Sequence, residues 1–314
     1  MPPAEPTLAL QLNPVAKYTL ATRPAFLLVT FGGCLVGLGT AYAAGVAIHP
    51  VTAIVTLVFA LVAHAGANVL NDYYDSANGC DAGNRERLFP FTGGSRFIQN
   101  GVLTEGQTLA FGAWLTAATA LAGLWLMSVS GAALAWYGLA GLFIGWAYSA
   151  PPFRLNSRGL GELCIWLAWM LVAAGTDFVQ RRAVSLDPWI ASAGYALLVT
   201  NILYINQFPD RRADEAAGKR HWVVRLGADR ASAIYPAIGI AANACVALAV
   251  AFGKLPAMAL LALFALPLTL KASRELRRHR RDVSRLAPAI QATIAATLAH
   301  GVLLAAGLAA SRWI

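Results

Sequence analysis

The sequence predicts an all-α membrane protein: nine transmembrane helices in a single bundle, with long polar cap loops after the second and sixth helices. Three observations predict it. Of 314 residues, 58 % are hydrophobic and only 12 % charged, about half the charge of an ordinary globular domain. Such a chain lacks the polar surface to face water all round. Its apolar stretches recur at lengths near the roughly 20 residues that a helix needs to cross a bilayer core. Its basic residues, finally, fall almost entirely on one side once those stretches are taken as spans. The excess of Lys and Arg over Asp and Glu, 24 against 15, is therefore a matter of topology. A nucleic-acid binder needs a solvated basic face, and most of this chain offers none. Cys34, Cys80, Cys164 and Cys245 are scattered singly and read as small apolar fillers, with no disulfide or zinc pattern.

Taken in order, the first span begins at Pro24. No charged residue occurs from Pro24 to Ile48, and the stretch is too long for a signal-peptide core with a cleavage site. Its Gly32, Gly33 and Gly37 suit close helix packing. Further spans follow near 51–71, 108–130, 131–150, 160–180, 188–208, 231–252, 255–271 and 288–310. Nine spans put the N-terminus and the even-numbered loops on one side, with 20 of the 24 basic residues. Only Arg181, Arg182, Lys254 and Arg312 lie on the other. Cytoplasmic loops are enriched in Lys and Arg, so the N-terminus and even loops are expected in the cytoplasm. The expectation is a multi-pass protein of the cell (inner) membrane, with residues 1–314 forming one polytopic domain. The Lys271–Arg285 run reads as an anchor to anionic lipid.

Two loops are long, about 35 residues after the second span and about 22 after the sixth. Long loops in a compact architecture are usually functional or disordered; these carry Gly, aromatic and acidic residues, not a low-complexity tract. The first begins NVLNDYYDSANGCD, Asn68 to Asp81. On a helix Asn68, Asp72 and Asp75 lie at about 0°, 40° and −20°, one face, and Gly79 can end that helix and turn Asp81 back. Converging carboxylates repel unless a cation sits between them, and hard oxygen ligands favour Mg²⁺ or Ca²⁺. The alternative is a solvated helix end.

The second segment runs from Asn206 to Gly227, NQFPDRRADEAAGKRHWVVRLG. Asn206, Asp210 and Asp214 recur at i, i+4 and i+8, Pro209 removes a backbone hydrogen bond, and Lys219 and Arg220 follow. Taken alone, this segment also fits a positive-inside anchor with compensating acids. Paired with the first on one membrane face, it suggests two carboxylate clusters holding Mg²⁺ ions that bridge to substrate phosphates. Arg85, Arg87, Arg96, Lys219 and Arg220 could then neutralise a diphosphate whose apolar tail lies in the bilayer.

At these residues the chain resembles the UbiA superfamily of intramembrane prenyltransferases. Its two aspartate-rich motifs match Asn68–Asp81 and Asn206–Asp214. PFTGGSR (Pro90–Arg96), YSAPPFRLNSRGLGE (Tyr148–Glu162) and AAGKR (Ala216–Arg220) are similar to family stretches, so the resemblance covers about 15–310. The Asp75-to-Asp81 spacing and GLGE resemble the branch that prenylates 1,4-dihydroxy-2-naphthoate for menaquinone. His221-Trp222 stands where that branch has Thr-Leu.

The resemblance implies Mg²⁺-dependent transfer of a prenyl group from an isoprenoid diphosphate to a small aromatic acceptor. Asp72, Asp75, Asp81, Asp210 and Asp214 are the implied metal ligands. Asn68, Asn206, Lys219, Arg220, Arg96 and Arg154 are the implied diphosphate-binding residues. Tyr148 resembles a family tyrosine beside the reacting carbon, where a π face stabilises a cation; an interfacial tyrosine is the other reading. Asp177 reads as an ion pair with Arg181, and His64 as a hydrogen-bonded core histidine. Prenylation of another quinone or lipid acceptor is the alternative within the family. Outside it, a secondary transporter fits the acids within spans, although transport sites lie near the midplane and these acids gather at one face.

Overall fold

Proline begins the helices of this chain. The computed structural model describes residues 4–313, and proline stands in the first turn of six helices: α1 (Pro14–Ala21), α2 (Pro24–Ala43), α3 (Pro50–Ala77), α8 (Asp187–Ala216), α10 (Leu266–His279) and α11 (Ala287–Ala310). There its missing N–H costs nothing and its fixed φ is already helical. Between them lie α4 (Cys80–Gly83), α5 (Glu105–Ser130), α6 (Leu134–Ser149), α7 (Gly161–Arg181) and α9 (Trp222–Ala251). Helix α5 starts with a reciprocal cap, the Thr104 hydroxyl accepting from the Gln107 N–H and the Gln107 side chain from the Thr104 N–H. Among the described residues there is no strand.

Among the described residues eight helices are long and apolar enough to cross a membrane, counting the 3₁₀ stretch Ala257–Ala265 with α10. The remaining expected span is α6. It has 16 residues, a rise of about 24 Å against a hydrocarbon core of about 30 Å. The cap loops depart from expectation more clearly. Helix α3 continues six residues past its expected end and α8 eight, so both acidic motifs lie on helix. Helix α9 begins at Trp222, which shrinks the sixth loop to 217–221, and Gly227 (φ 73°) breaks α9 early. Among the described residues only the loop after α3, 78–104, is long. Asp, Arg, Glu and Ala are ordinary helix residues, so polarity marks where lipid ends and not where helix ends.

Helix packing depends on small residues. A side chain at Gly37 would place its Cβ 2.3 Å from the carbonyl oxygen of Ala173, and one at Gly307 would lie 2.1 Å from that of Met258. These positions let α2 meet α7, and α11 meet the 3₁₀ stretch, at backbone contact. The largest buried cluster joins α8, α9, α10 and α11 through Tyr204, Ile205, Phe208, Tyr235, Leu276 and Ile290. It fixes the end of α8 on which the second acidic motif stands. Asp177 is fully buried; Arg181 holds it at 2.8 Å and Thr40 donates to it at 2.8 Å, while Arg181 also reaches Asp187 at 3.1 Å. His64 pairs with Thr30 at 2.8 Å and sits edge-on to Trp169, a core histidine.

Candidate active site

The ends of α3 and α8 meet. Gly79 adopts φ 77° directly after α3, a left-handed turn that costs glycine little, and α4 then carries Asp81 back toward Asp72. The loop 91–96 closes over both, with Gly93, Gly94 and Arg96 all at positive φ. Its Ser95 N–H donates to Asp72 Oδ2 at 3.0 Å, and Arg96 Nη1 donates to the Asp81 carbonyl at 2.5 Å. Asp72 Oδ1 and Asp81 Oδ2 are buried and have no hydrogen-bond partner. Both flank Gly94: a Cβ there would lie 3.1 Å from the first and 2.4 Å from the second. A side chain at 94 would fill the space these two oxygens share.

Beside them the two motifs are joined by a lysine. Lys219 Nζ lies 2.7 Å from Asp75 Oδ2 and 3.4 Å from Asp214 Oδ1, and its backbone N–H donates to the Asp214 carbonyl at 2.8 Å. Asp214 Oδ2 faces His221 Nε2 at 2.9 Å, and its Oδ1 accepts from the Cys80 thiol. Asp210 accepts from Asn84 Nδ2 at 2.5 Å. Burial pushes the Asp81 carboxyl well above its usual range, and Asp75 and Asp72 push it the same way. Burial pulls the Lys219 ammonium down, but Asp75 and Asp214 outweigh it and hold it well above the ordinary lysine value. A buried site with more carboxylates than cations binds added positive charge.

The residues present fit a magnesium ion of a particular kind. Among the described residues no three His, Cys, Asp or Glu side chains are grouped so as to hold a metal by themselves. Mg²⁺ does not need such a cage, because it is bound by one or two carboxylates, waters and substrate phosphates. The unpaired oxygens of Asp72 and Asp81 would supply that pair.

Other expected site residues are placed differently. Asn68 donates to the Thr22 carbonyl at 3.0 Å, Asn206 Oδ1 is buried and unpaired, and Tyr148 is half-buried against Gly161 at the start of α7. Arg154 and Arg220 are exposed; Arg220 enters the hydrogen-bond network through its backbone, its N–H donating to the Ser157 carbonyl. Arg85 is also exposed, while Arg87 bonds Glu5 at 2.7 Å and the Asn84 carbonyl at 2.6 Å. Residues given no role from the sequence complete the site: Asn84, Gly94 and Ser95 of the PFTGGSR stretch, and Glu5, which pins Arg87 and approaches Arg96 at 3.9 Å. The Gly-Gly pair signalled the turn; nothing near Glu5 signalled its partner some 80 residues away.

Comparison with known proteins decides the family. The model of the UbiA prenyltransferase family matches residues 30–310. The chain belongs to that family. It is 26 % identical over 314 residues to a 1,4-dihydroxy-2-naphthoate octaprenyltransferase of Escherichia coli (strain K12), covering 96 % of this chain and 98 % of that one. It is 26 % identical over 292 residues to a 2-carboxy-1,4-naphthoquinone phytyltransferase of a Synechocystis strain, with 91 % of each chain covered. Among solved structures, the fold matches a UbiA homolog from Archaeoglobus fulgidus bound to DMAPP and Mg²⁺, with TM-score 0.68 at 16 % identity, covering 92 % of this chain and 99 % of that one. It also matches the apo structure of a UbiA homolog from Aeropyrum pernix, with TM-score 0.65 at 19 % identity, covering 88 % and 96 %.

Proposed function

We propose that this UbiA-family chain transfers a prenyl group from an isoprenoid diphosphate to 1,4-dihydroxy-2-naphthoate, in menaquinone biosynthesis. The observation that carries the reading is the meeting of two acidic helix ends, with the unpaired oxygens of Asp72 and Asp81 facing a common space and Lys219 bridging Asp75 to Asp214. The relatives' names supply the acceptor. Magnesium ions, when bound, supply the Lewis acid that draws charge onto the diphosphate. Asp72, Asp75, Asp81, Asp210 and Asp214 would hold them, and Asn68 and Asn206 are assigned to the diphosphate. Lys219, between Asp75 and Asp214, is assigned to the leaving diphosphate oxygen, whose developing negative charge it would stabilise; Arg96, Arg154 and Arg220 are assigned to the same diphosphate. The allylic C–O bond breaks, diphosphate leaves with the electron pair, and the allylic cation is captured by a ring carbon as the ring carboxylate departs as CO₂. Tyr148 offers its π face to that cation.

The site end of the bundle is assigned to the cytoplasm and the chain to nine spans, with α6 the fourth. The test uses purified protein in detergent with one labelled allylic diphosphate and a panel of aromatic acceptors. Mg²⁺-dependent diphosphate release, fastest with the dihydroxynaphthoate, is expected. Release with a different acceptor only would move the chain to another quinone; no release with any acceptor would overturn the reading.

A further inference from the structure

His221 is 3 % exposed and touches two elements at once. Its Nδ1 accepts from the Val224 N–H at 3.3 Å, capping α9, and its Nε2 lies 2.9 Å from Asp214 Oδ2 on the last turn of α8. A ring nitrogen that accepts carries no proton, so the neutral ring bears its proton on Nε2 and donates it to Asp214. Both nitrogens of one rigid ring are thus committed. The start of α9 is itself fastened: Arg220 N–H donates to the Ser157 carbonyl, Trp222 Nε1 to the Gly159 carbonyl at 2.9 Å, and Arg225 Nη2 to the Arg158 carbonyl at 2.8 Å.

We propose that His221 is the positioning residue of Asp214, transmitting the fixed start of α9 and loop 155–159 to the orientation of that carboxylate. The proposal rests on Asp214 being a metal ligand, as read above. Groups that orient metal ligands typically change metal affinity or activity by about 10–100-fold when removed. The ring links cap and carboxylate, and two substitutions separate these duties. Asparagine at 221 restores a cap acceptor in place of Nδ1 and is too short to reach Asp214. Glutamine places an amide N–H near the position of Nε2 and leaves the Val224 N–H without its cap.

The experiment measures Mn²⁺ binding by electron paramagnetic resonance in detergent without substrate, the KM for Mg²⁺ against kcat, and the melting temperature. These are read for His221→Asn, His221→Gln and Asp214→Asn. His221→Asn is expected to melt near the parent but bind Mn²⁺ about tenfold or more weakly. His221→Gln is expected to melt lower and to keep Mn²⁺ binding near the parent. Parent-like Mn²⁺ binding in His221→Asn, with binding lost in Asp214→Asn, would overturn the positioning role alone. Loss of binding in step with melting temperature in both His221 variants would make the residue structural and also overturn it. Unchanged binding in Asp214→Asn would overturn the ligand reading and this inference with it.

Discussion

Gly94 shows how much a single position decides. Its φ of 72° lies in the left-handed region, which costs an L-residue roughly 1–2 kcal/mol, and its missing Cβ keeps open the space between Asp72 and Asp81. Gly94→Ala should therefore fold and insert while losing turnover on the order of 100-fold; a parent-like KM for Mg²⁺ in this variant would remove Asp72 and Asp81 as a ligand pair. Asp72→Asn and Asp210→Asn should each abolish turnover and leave a folded protein, because relieving carboxylate repulsion does not harm folding. From spacing alone Asp81 is the lesser member, since its position depends on the turn at Gly79. With its unpaired oxygen facing that of Asp72, Asp81→Asn should cost as much as Asp72→Asn. Steady-state turnover at saturating donor and Mg²⁺ checks all three.

Between elements, the decisive contact is Lys219 lying between α3 and the end of α8. It is buried with Asp75 and Asp214, and removing one partner of a buried ion pair typically costs about 3–5 kcal/mol. Lys219→Ala should lower the melting temperature and lower turnover with every acceptor, with part of the stability restored by Mg²⁺. A defect confined to the acceptor's KM would move Lys219 out of the diphosphate site. The acids that Lys219 joins were legible because a helical face collects residues at i, i+4 and i+7 or i+8 whether or not lipid surrounds it. The burial of Lys219 between the acids and the exposure of Arg220 were not. Adjacent residues in a turn point apart, and only the short 217–221 connection, with Gly218 at φ 80°, decides which one enters. Asn84 and Glu5 were illegible for a different reason: each acts through contacts far along the chain, and no local pattern records these, while Ser95 was marked only as part of PFTGGSR and its bond to Asp72 was not.

Across the whole bundle, connectivity bears on the number of crossings. Glu105 accepts from Ser76 at 3.0 Å, so α5 starts beside the end of α3, at the carboxylate end. Helix α7 also starts there, since Glu162 accepts from Gln207 at 2.9 Å, and it finishes where Arg181 meets Asp187 at the start of α8. Helix α6 must return between them. Tyr137 near its start lies 5.5 Å from Phe178 and 6.3 Å from Trp189, and Ser149 at its end accepts from Asn71 at 2.8 Å. Sixteen residues thus join the two ends, which supports the nine crossings proposed above although α6 alone is too short for a length criterion. On that proposal, odd parity would put the two chain termini on opposite sides and gather 20 of the 24 basic residues on the carboxylate side. Because Lys and Arg are retained in the cytoplasm, accessibility tags at the N-terminus and near Arg85, Arg220 and Arg278 should all report cytoplasm, and one near Arg182 the outside. If α6 did not cross, the tags near Arg85 and Arg220 would report opposite faces. The Asp75–Lys219–Asp214 contact could not then exist, so this one measurement tests the topology and the site together.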